Sequence, residues 1–525
     1  MIGRPRHFES VVLVLLAVCT LKSGPAVPAN SRLTVLISDL HLGVGRDPET
    51  HQWYKIEDGR WADEFEMFLQ EANRQGGGAT DLILNGDTFE LWQSLEQDCI
   101  YSDKDLGCTE VDALHRLRRV LGAHTAELKA LRAFATSGNN RVVIVPGNHD
   151  VALLFGRVAA EVLEAISAPA DRVRVASEGF WLSADKLVYA EHGHQIGRDV
   201  NRFDNWPSPF LERNGQKHLQ RPWGEQFVQQ YYNDYEEKYP IIDNISEESL
   251  GVRYGLAAEG VSSGVRGFGR FLRFFFLEVS PEQFARALGP ERAAGNWDVQ
   301  AIRTGGERFF VESIPADNPF RIATQKALAD GTLGLSLNDL SDDEIRAICD
   351  YRAVAFQAQR KSTTSPTVTV MPCPKARLGG TGEGVASNIE RVRLSIFEEH
   401  LDRTLQALQH AGKTKTDRVF QLFVFSHTHR ADAGFSPMKY SKRQWRPRVV
   451  NTGAWQRTIS ARQLDTIIQD RELTPRQILQ TFEPEDLPPC YPAIFVRPYK
   501  ENPESILYYW GKRGGEPWKL AQSCD

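Results

Sequence analysis

At 525 residues the chain exceeds one typical domain, and 41% hydrophobic with 25% charged residues describes an ordinary soluble globular protein with room for one large core plus a substantial insertion. A formal net charge of −6 supplies no electrostatic case for a nucleic-acid partner, and none is expected. No internal repeat or low-complexity tract interrupts the chain.

The first residues carry Arg4 and Arg6, an apolar stretch from Val11 to Cys19, and small residues around Ala26 to Ala29. Residues 1–29 therefore read as a secretory signal peptide, which makes the mature protein exported, periplasmic or extracellular. Nine apolar residues are far short of the roughly 20 that a membrane-spanning helix requires. Removing the segment takes away Arg4, Arg6 and Lys22 against Glu9, which moves the charge from −6 to −8. It also removes Cys19 and leaves six cysteines, an even number that in an exported chain suggests disulfides. Cys99 with Cys108 and Cys490 with Cys524 are the expected local pairs. Without a CxxC or CxxxC spacing, thiolate metal sites are not expected.

The first strand is LTVLISDLHLG, residues 33–43, by its β-branched content, and it ends in Asp39-x-His41. The next, DLILNGDTFELW at 81–92, ends in Asn85-Gly86-Asp87, where glycine permits a tight turn and close backbone approach. RVVIVPGNHD at 141–150 ends in Gly147-Asn148-His149-Asp150, and KLVYAEHGHQIG at 186–197 ends in His192-Gly193-His194.

Residues 201–395 are too long for a simple loop and read as an inserted cap, mainly helical, with serine-capped helices in SPEQFARALGPERAA and SDDEIRAICDYRAVAFQAQ. Between them, GVRGFGRFLRFFFLEV at 264–279 places Phe268, Phe271, Leu272, Phe275 and Val279 on one helical face and Arg266, Arg270 and Arg273 on another. The stripe reads as the cap's own core; its alternative reading is a peripheral membrane or acyl contact. GGTGEG lacks the following GK[ST] of a phosphate-binding loop. Asn244-Ile-Ser is a candidate glycosylation sequence.

After an amphipathic helix, RVFQLFVFSHTHRADAGF at 418–435 stops its apolar run at Ser426-His427-Thr428-His429. A strand repeats every two residues, so the two histidines leave the sheet on one face, either as a two-nitrogen claw or as ordinary surface residues. Five strands thus finish in Asp, His or Asn, and ligand crevices of α/β sheets form at the carboxyl ends of strands. Oxygen and imidazole donors without thiolates suit Mn, Fe or Zn rather than Ca.

In this order the motifs resemble the calcineurin-like metallophosphoesterases, whose pattern is DxH, GD, GNH followed by Asp or Glu, a lone His, and GHxH. The match is carried by Asp39 and His41, Gly86-Asp87, Gly147 to Asp150, His192, and Ser426 to His429, with Ser426 standing where the family usually has glycine. It covers roughly residues 33–200 and 395–455. GDTFELW, HGHQ and NTGAW at 451–455 look most like the branch containing UDP-2,3-diacylglucosamine hydrolases. That branch typically has arginine at the place of His149 and is cytoplasmic, so its nucleotide-sugar lipid is not the expected substrate.

The resemblance implies a four-layer α/β-β/α sandwich formed by residues 30–200 and 396–525, interrupted by the cap. It implies that Asp39, His41 and His429 hold one divalent ion, that Asn148, His192 and His427 hold a second, and that Asp87 bridges them. Two ions about 3.5–4 Å apart can share a hydroxide and clamp the attacking and leaving oxygens of a phosphoryl displacement. His149 is then the candidate proton donor, with Asp150 fixing its tautomer; the alternative for His149 is a structural turn residue. Asn85, His194, Arg198 and Asn201 are candidate substrate contacts; the alternatives are a turn-orienting role for Asn85, a place behind the ligands or at the surface for His194, and turn residues at the cap's entry for Arg198 and Asn201. The expected function is hydrolysis of a small-molecule or lipid phosphomonoester or phosphodiester, lipid- or nucleotide-linked. The rival is a catalytically silent metal-binding surface or scaffold protein on the same fold. Nothing in the sequence sets an oligomeric state.

Overall fold

The computed structural model describes residues 32–95, 99, 101, 103, 105–197, 201–222, scattered positions in 224–245, 297–312, scattered positions in 325–349, 373–374, 385–414, 419–437, 445–471, 475–499 and 502–523. The expected signal peptide, the phenylalanine stripe at 264–279, SPEQFARALGPERAA and Arg198 lie outside the described residues.

In chain order the first half contains β1 (Leu33–Ile37), α1 (Ala62–Gln75), β2 (Thr80–Asn85), β3 (Leu106–Thr109), α2 (Glu110–Ala123), α3 (Thr125–Thr136), β4 (Arg141–Val145), α4 (Gly156–Ile166), β5 (Val173–Val175), β6 (Trp181–Leu182) and β7 (Val188–Ala190). Then come β8 (Phe210–Arg213), β9 (Gln216–Gln220), the short α5 (Val299–Gly305) and α6 (Arg308–Glu312), and the long α7 (Val385–His410). The chain continues with β10 (Leu422–Phe425), β11 (Asp432–Phe435), β12 (Arg448–Asn451), α8 (Ala461–Asp470), α9 (Pro475–Thr481), β13 (Cys490–Val496), β14 (Ser505–Gly511) and β15 (Lys519–Ala521).

Among the described residues this is a mixed α/β fold with three sheets. A seven-stranded sheet runs β15-β14-β13-β1-β2-β4-β5, a five-stranded sheet runs β11-β12-β10-β7-β6, and β3, β9 and β8 form a small third sheet. β1, β2, β4 and β5 are parallel neighbours, as are β7, β10 and β12. Helical connections make such parallel pairing possible. α1 shows why they dock: Phe65, Phe68, Leu69 and Ala72 fall on one helical face and are buried. α2 starts sharply because Thr109 and Asp112 form a reciprocal capping box.

The two-residue period of the strands sorts their side chains into separate cores. Val35, Ile37, Leu82, Leu84, Val142 and Ile144 face the helices, meeting Phe65, Leu117, Leu131 and Val158. The alternate residues Leu36, Ile83, Val143 and Val145 face Val188, Ala190, Leu422, Val424 and Val450 of the five-stranded sheet. On the far side of that sheet, Tyr189, Phe423, Phe425 and Val449 pack against Phe397, Leu401 and Leu408 of α7.

The described part of 201–395 is not only helical. β8 and β9 form a hairpin through Asn214 and Gly215, both at positive φ (53° and 73°), the backbone that an Asn-Gly hairpin turn requires. β9 pairs with β3, and Phe203 and Leu219 join the core beneath the helices. The expected boundary after residue 395 falls inside α7.

Cys99–Cys108 forms as expected. Cys349–Cys373 is a second bridge, outside the two expected pairs. Cys490 is also disulfide-bonded, while Cys524 lies outside the described residues. Asn244 is buried with its amide donating to Arg457 O at 3.0 Å, which closes it to glycosylation. Among the described residues no helix is long and apolar enough to cross a membrane.

Candidate metal centre

Each candidate ligand lies two to four residues beyond the end of its strand: Asp39 and His41 after β1, Asp87 after β2, Asn148 after β4, His192 after β7, His427 and His429 after β10. Five of them occupy the left-handed backbone region, with φ of 52° at Asp39, 45° at His41, 49° at Asp87, 70° at His427 and 54° at His429. This corrects the strand-alternation account of the HxH claw. β10 ends at Phe425, and turn geometry rather than strand pleat aims the two imidazoles. Each such residue costs about 1–3 kcal/mol, and clusters of them mark functional sites.

Long-range contacts hold the turns in place. Asp39 N donates to Gly86 O and His41 N to Asp87 O, both at 3.1 Å, which extends the β1–β2 ladder beyond the strands. Glycine is required after β2 and after β4, where the turns approach one another. A Cβ at Gly86 would lie 2.2 Å from His192 Nδ1, and one at Gly147 would lie 2.1 Å from Asp87 Oδ1.

Among the described residues three groups could hold a metal ion, the expected Asp39 with His41 and His429 and Asp87 with His192 and His427, and beside them His41 with Glu90 and His149; within each, the ligand atoms lie within 4.8 Å of one another. Asp87 Oδ2 is 2.8 Å from His192 Nε2 and 4.0 Å from His41 Nε2. Asp39 Oδ1 is 3.4 Å from His429 Nε2 and 4.0 Å from both His41 Nε2 and His192 Nε2. Both carboxylates therefore stand between the two expected groups.

Hydrogen bonding tests whether these residues fit cations. Both oxygens of Asp39, both amide atoms of Asn148, His41 Nε2 and His192 Nε2 are buried without a hydrogen-bond partner. The opposite ring nitrogens are held: His41 Nδ1 contacts Glu90 Oε2 at 2.8 Å, and His192 Nδ1 contacts Asn85 O at 3.0 Å. An imidazole fastened at Nδ1 presents its Nε2 lone pair, the arrangement of metal-ligating histidines. Buried polar atoms left bare in such a set are otherwise rare. The donors can hold metal ions.

Without a cation the buried carboxylates and imidazoles balance charge among themselves. Burial opposes ionisation of Asp87, yet the imidazoles of His192, His149 and His41 outweigh it and hold its carboxyl well below the usual range. Burial likewise opposes charge on Asp39, and His192 and His429 overcome it. For His41, burial is overridden by Glu90, Asp87 and Asp39, which raise it well above an ordinary histidine. Burial, with His192 and His427 beside it, pushes His194 well below and keeps it neutral.

His149 stands at the edge of this cluster, its side chain 15% exposed, with its Nδ1 2.5 Å from Glu90 Oε2 and its ring centroid 4.2 Å from that of Trp92. Glu90 is thus the carboxylate that orients His149; Asp150, expected in that role, is not. Asp150 Oδ2 accepts from Thr88 N at 2.8 Å and Phe89 N at 3.3 Å, and Oδ1 accepts from Gly147 N at 2.6 Å, so it clasps two turns together. Burial, followed by the nearby Asp87 charge, lifts its pKa to about 7. Glu90 Oε1 meanwhile accepts from Trp92 N and Gln93 N at 2.8 and 2.9 Å. Its place three residues after Asp87 in GDTFELW was the available signal.

Of the candidate substrate contacts, Asn85 is a brace: its amide donates to Glu191 O at 2.7 Å and to Ser426 Oγ at 3.3 Å. Asn201 Nδ2 lies 3.4 Å from His427 Nε2. His194 is buried, edge-on to Trp206 with ring centroids 4.4 Å apart, and its Nδ1 has no hydrogen-bond partner. Thr428, between the claw histidines, accepts from Asn451 Nδ2 at 2.9 Å. No family model, curated protein or solved structure matches the chain.

Proposed function

We propose that the chain is an exported, metal-dependent phosphoesterase of the calcineurin-like class, a four-layer α/β-β/α sandwich with an inserted cap and two divalent ions, Mn, Fe or Zn. The observation that carries this reading is the set of buried, unpartnered donor atoms on Asp39, His41, Asn148 and His192, with Asp87 beside them. Asp39, His41 and His429 would hold one ion, Asn148, His192 and His427 the other, with Asp87 between. Bound there, the ions supply Lewis acidity toward a phosphoryl oxygen and lower the pKa of water.

The protein's own groups do the rest. Glu90, fastened by two backbone N–H groups, holds His149 at Nδ1. The proton for the leaving oxygen then comes from Nε2, the ring nitrogen that Glu90 does not engage. Asp87 Oδ1 accepts from His149 N at 2.9 Å, which ties the proton donor's backbone to a metal ligand. The substrate is a small-molecule or lipid phosphomonoester or phosphodiester.

The test is hydrolysis of aryl phosphate mono- and diesters with added Mn²⁺, comparing wild type with Asp87→Ala. Strong metal-dependent turnover in wild type alone is expected. Equal activity in both would sink the proposal, and activity in neither, with any metal, would favour a catalytically silent metal-binding protein.

A further inference from the structure

The side chain that joins the two sheets at the metal centre is Ser426. Its Oγ is buried at the point where β2 of the seven-stranded sheet meets β7 and β10 of the five-stranded sheet. Oγ lies 2.7 Å from Asn85 O, 2.9 Å from His192 O, 3.0 Å from His192 Nδ1 and 3.3 Å from Asn85 Nδ2. A hydroxyl has one proton to donate and two lone pairs. It donates to one of the two carbonyls and accepts from the Asn85 amide and from His192 Nδ1, so its capacity is used up.

The consequence falls on His192. Its ring is wedged between Ser426 Oγ and Gly86, where not even a Cβ would fit, and its Nδ1 has two acceptors, Asn85 O and Ser426 Oγ. Both favour a proton on Nδ1 and turn Nε2 toward the metal group, 2.8 Å from Asp87 Oδ2. His41, in the other group, is oriented by Glu90 and has no contact with Ser426 among its hydrogen bonds. The two groups therefore have separate supports.

We infer that Ser426 is a positioning residue for one half of the metal centre, setting the tautomer and orientation of His192 and fixing the spacing between the two sheets there. This rests on the proposed dinuclear site and adds to it a division of labour: Glu90 serves the His41 side, Ser426 the His192 side. Outer partners of metal-ligating histidines change metal affinity about 10–100-fold when removed. Ser426→Ala deletes the hydroxyl without freeing the backbone.

The experiment is calorimetric titration of the metal-free full chain with Mn²⁺ for wild type, Ser426→Ala and a control, Thr452→Val, with the metal-free melting temperature of each. Thr452 Oγ1 pairs with Ser38 Oγ at 2.6 Å in a neighbouring turn and makes no hydrogen bond to His192, so its loss reports the general cost of a buried hydroxyl. The expected result is two ions in wild type and in Thr452→Val. In Ser426→Ala, one ion should keep its affinity and the other should weaken about 10–100-fold. Wild-type affinities in Ser426→Ala, or equal weakening of both ions there, would overturn the inference. If wild type binds one ion and only Ser426→Ala weakens it, the inference stands and the dinuclear reading falls. If wild type binds none, both fall.

Discussion

Glu90 holds His149 from behind: its Oε2 lies 2.5 Å from His149 Nδ1, and the same oxygen takes His41 Nδ1 at 2.8 Å. One buried carboxylate atom thus orients a candidate proton donor and a candidate metal ligand together. Burial opposes its charge, but His149 and His41 hold it far below an ordinary glutamate. Glu90→Gln, which keeps the shape and removes the charge, should lower kcat about 10²–10⁴-fold. It should also weaken metal binding at the His41 side about 10–100-fold, read by Mn²⁺ titration. Wild-type kcat and affinity in the variant would refute the shared role.

His149→Ala should lose far more activity on esters with poor leaving groups than on activated aryl esters, because only poor leaving groups need a proton as the bond breaks. The measurement is the dependence of kcat on leaving-group pKa. A uniform loss across the series would leave His149 with a positioning role only.

Asp150→Ala should behave as a stability variant. Three backbone donors, Gly147, Thr88 and Phe89 N–H, lose their acceptor, at a cost of roughly 1–3 kcal/mol for each one left buried and unpaired. Thermal unfolding should show a lower Tm, while activity per folded molecule falls alike on good and poor leaving groups. A loss confined to poor leaving groups would restore the catalytic role that the sequence suggests.

Metal should stabilise the fold, since the buried donors exist as a set only in the native state. An ion at 100 times its Kd contributes about 2.7 kcal/mol. Melting with Mn²⁺ and with EDTA should therefore differ by several degrees in wild type, and Asp87→Ala should abolish most of that difference. Identical curves for wild type under both conditions would contradict the site.

Away from the candidate metal centre, His124 Nε2 lies 3.4 Å from Glu57 Oε1 and its Nδ1 lies 3.3 Å from Glu127 Oε1, all buried. Burial works against the charge on His124, yet Glu57 and Glu127 raise it from 6.5 to about 10. Its contribution is complete below pH 6.5 and lost as pH rises toward 10. Burial also opposes the charge on Glu57, but His124 and the Gly45 and Gly43 N–H groups hold it below its ordinary 4.5. That contribution is present above pH 4.5 and lost in stronger acid. The Tm difference between wild type and His124→Gln should be largest between pH 4.5 and 6.5 and shrink toward pH 10. A difference independent of pH would show that packing alone holds this cluster.

The sequence by itself determined the strands and the ligand types at their ends. β-branched runs such as LTVLI and RVVIV, each closing on Asp, Asn or His, are local properties of the chain, as is the Cys99–Cys108 bridge with its sequence separation of 9. Tertiary structure decided how those ligands are aimed. The left-handed backbone at His427 and His429 comes from turn geometry that strand alternation does not contain. Glu90 reaches His41 across 49 residues and His149 across 59, while Ser426 reaches His192 across 234 and Asn85 across 341. Composition and spacing say which atoms can bind a cation; only packed sheets say which nitrogen of each imidazole is fastened and which is left bare. For the same reason Asp150, next to His149 in sequence, turned out to clasp backbone, and the orienting carboxylate came from another strand's end.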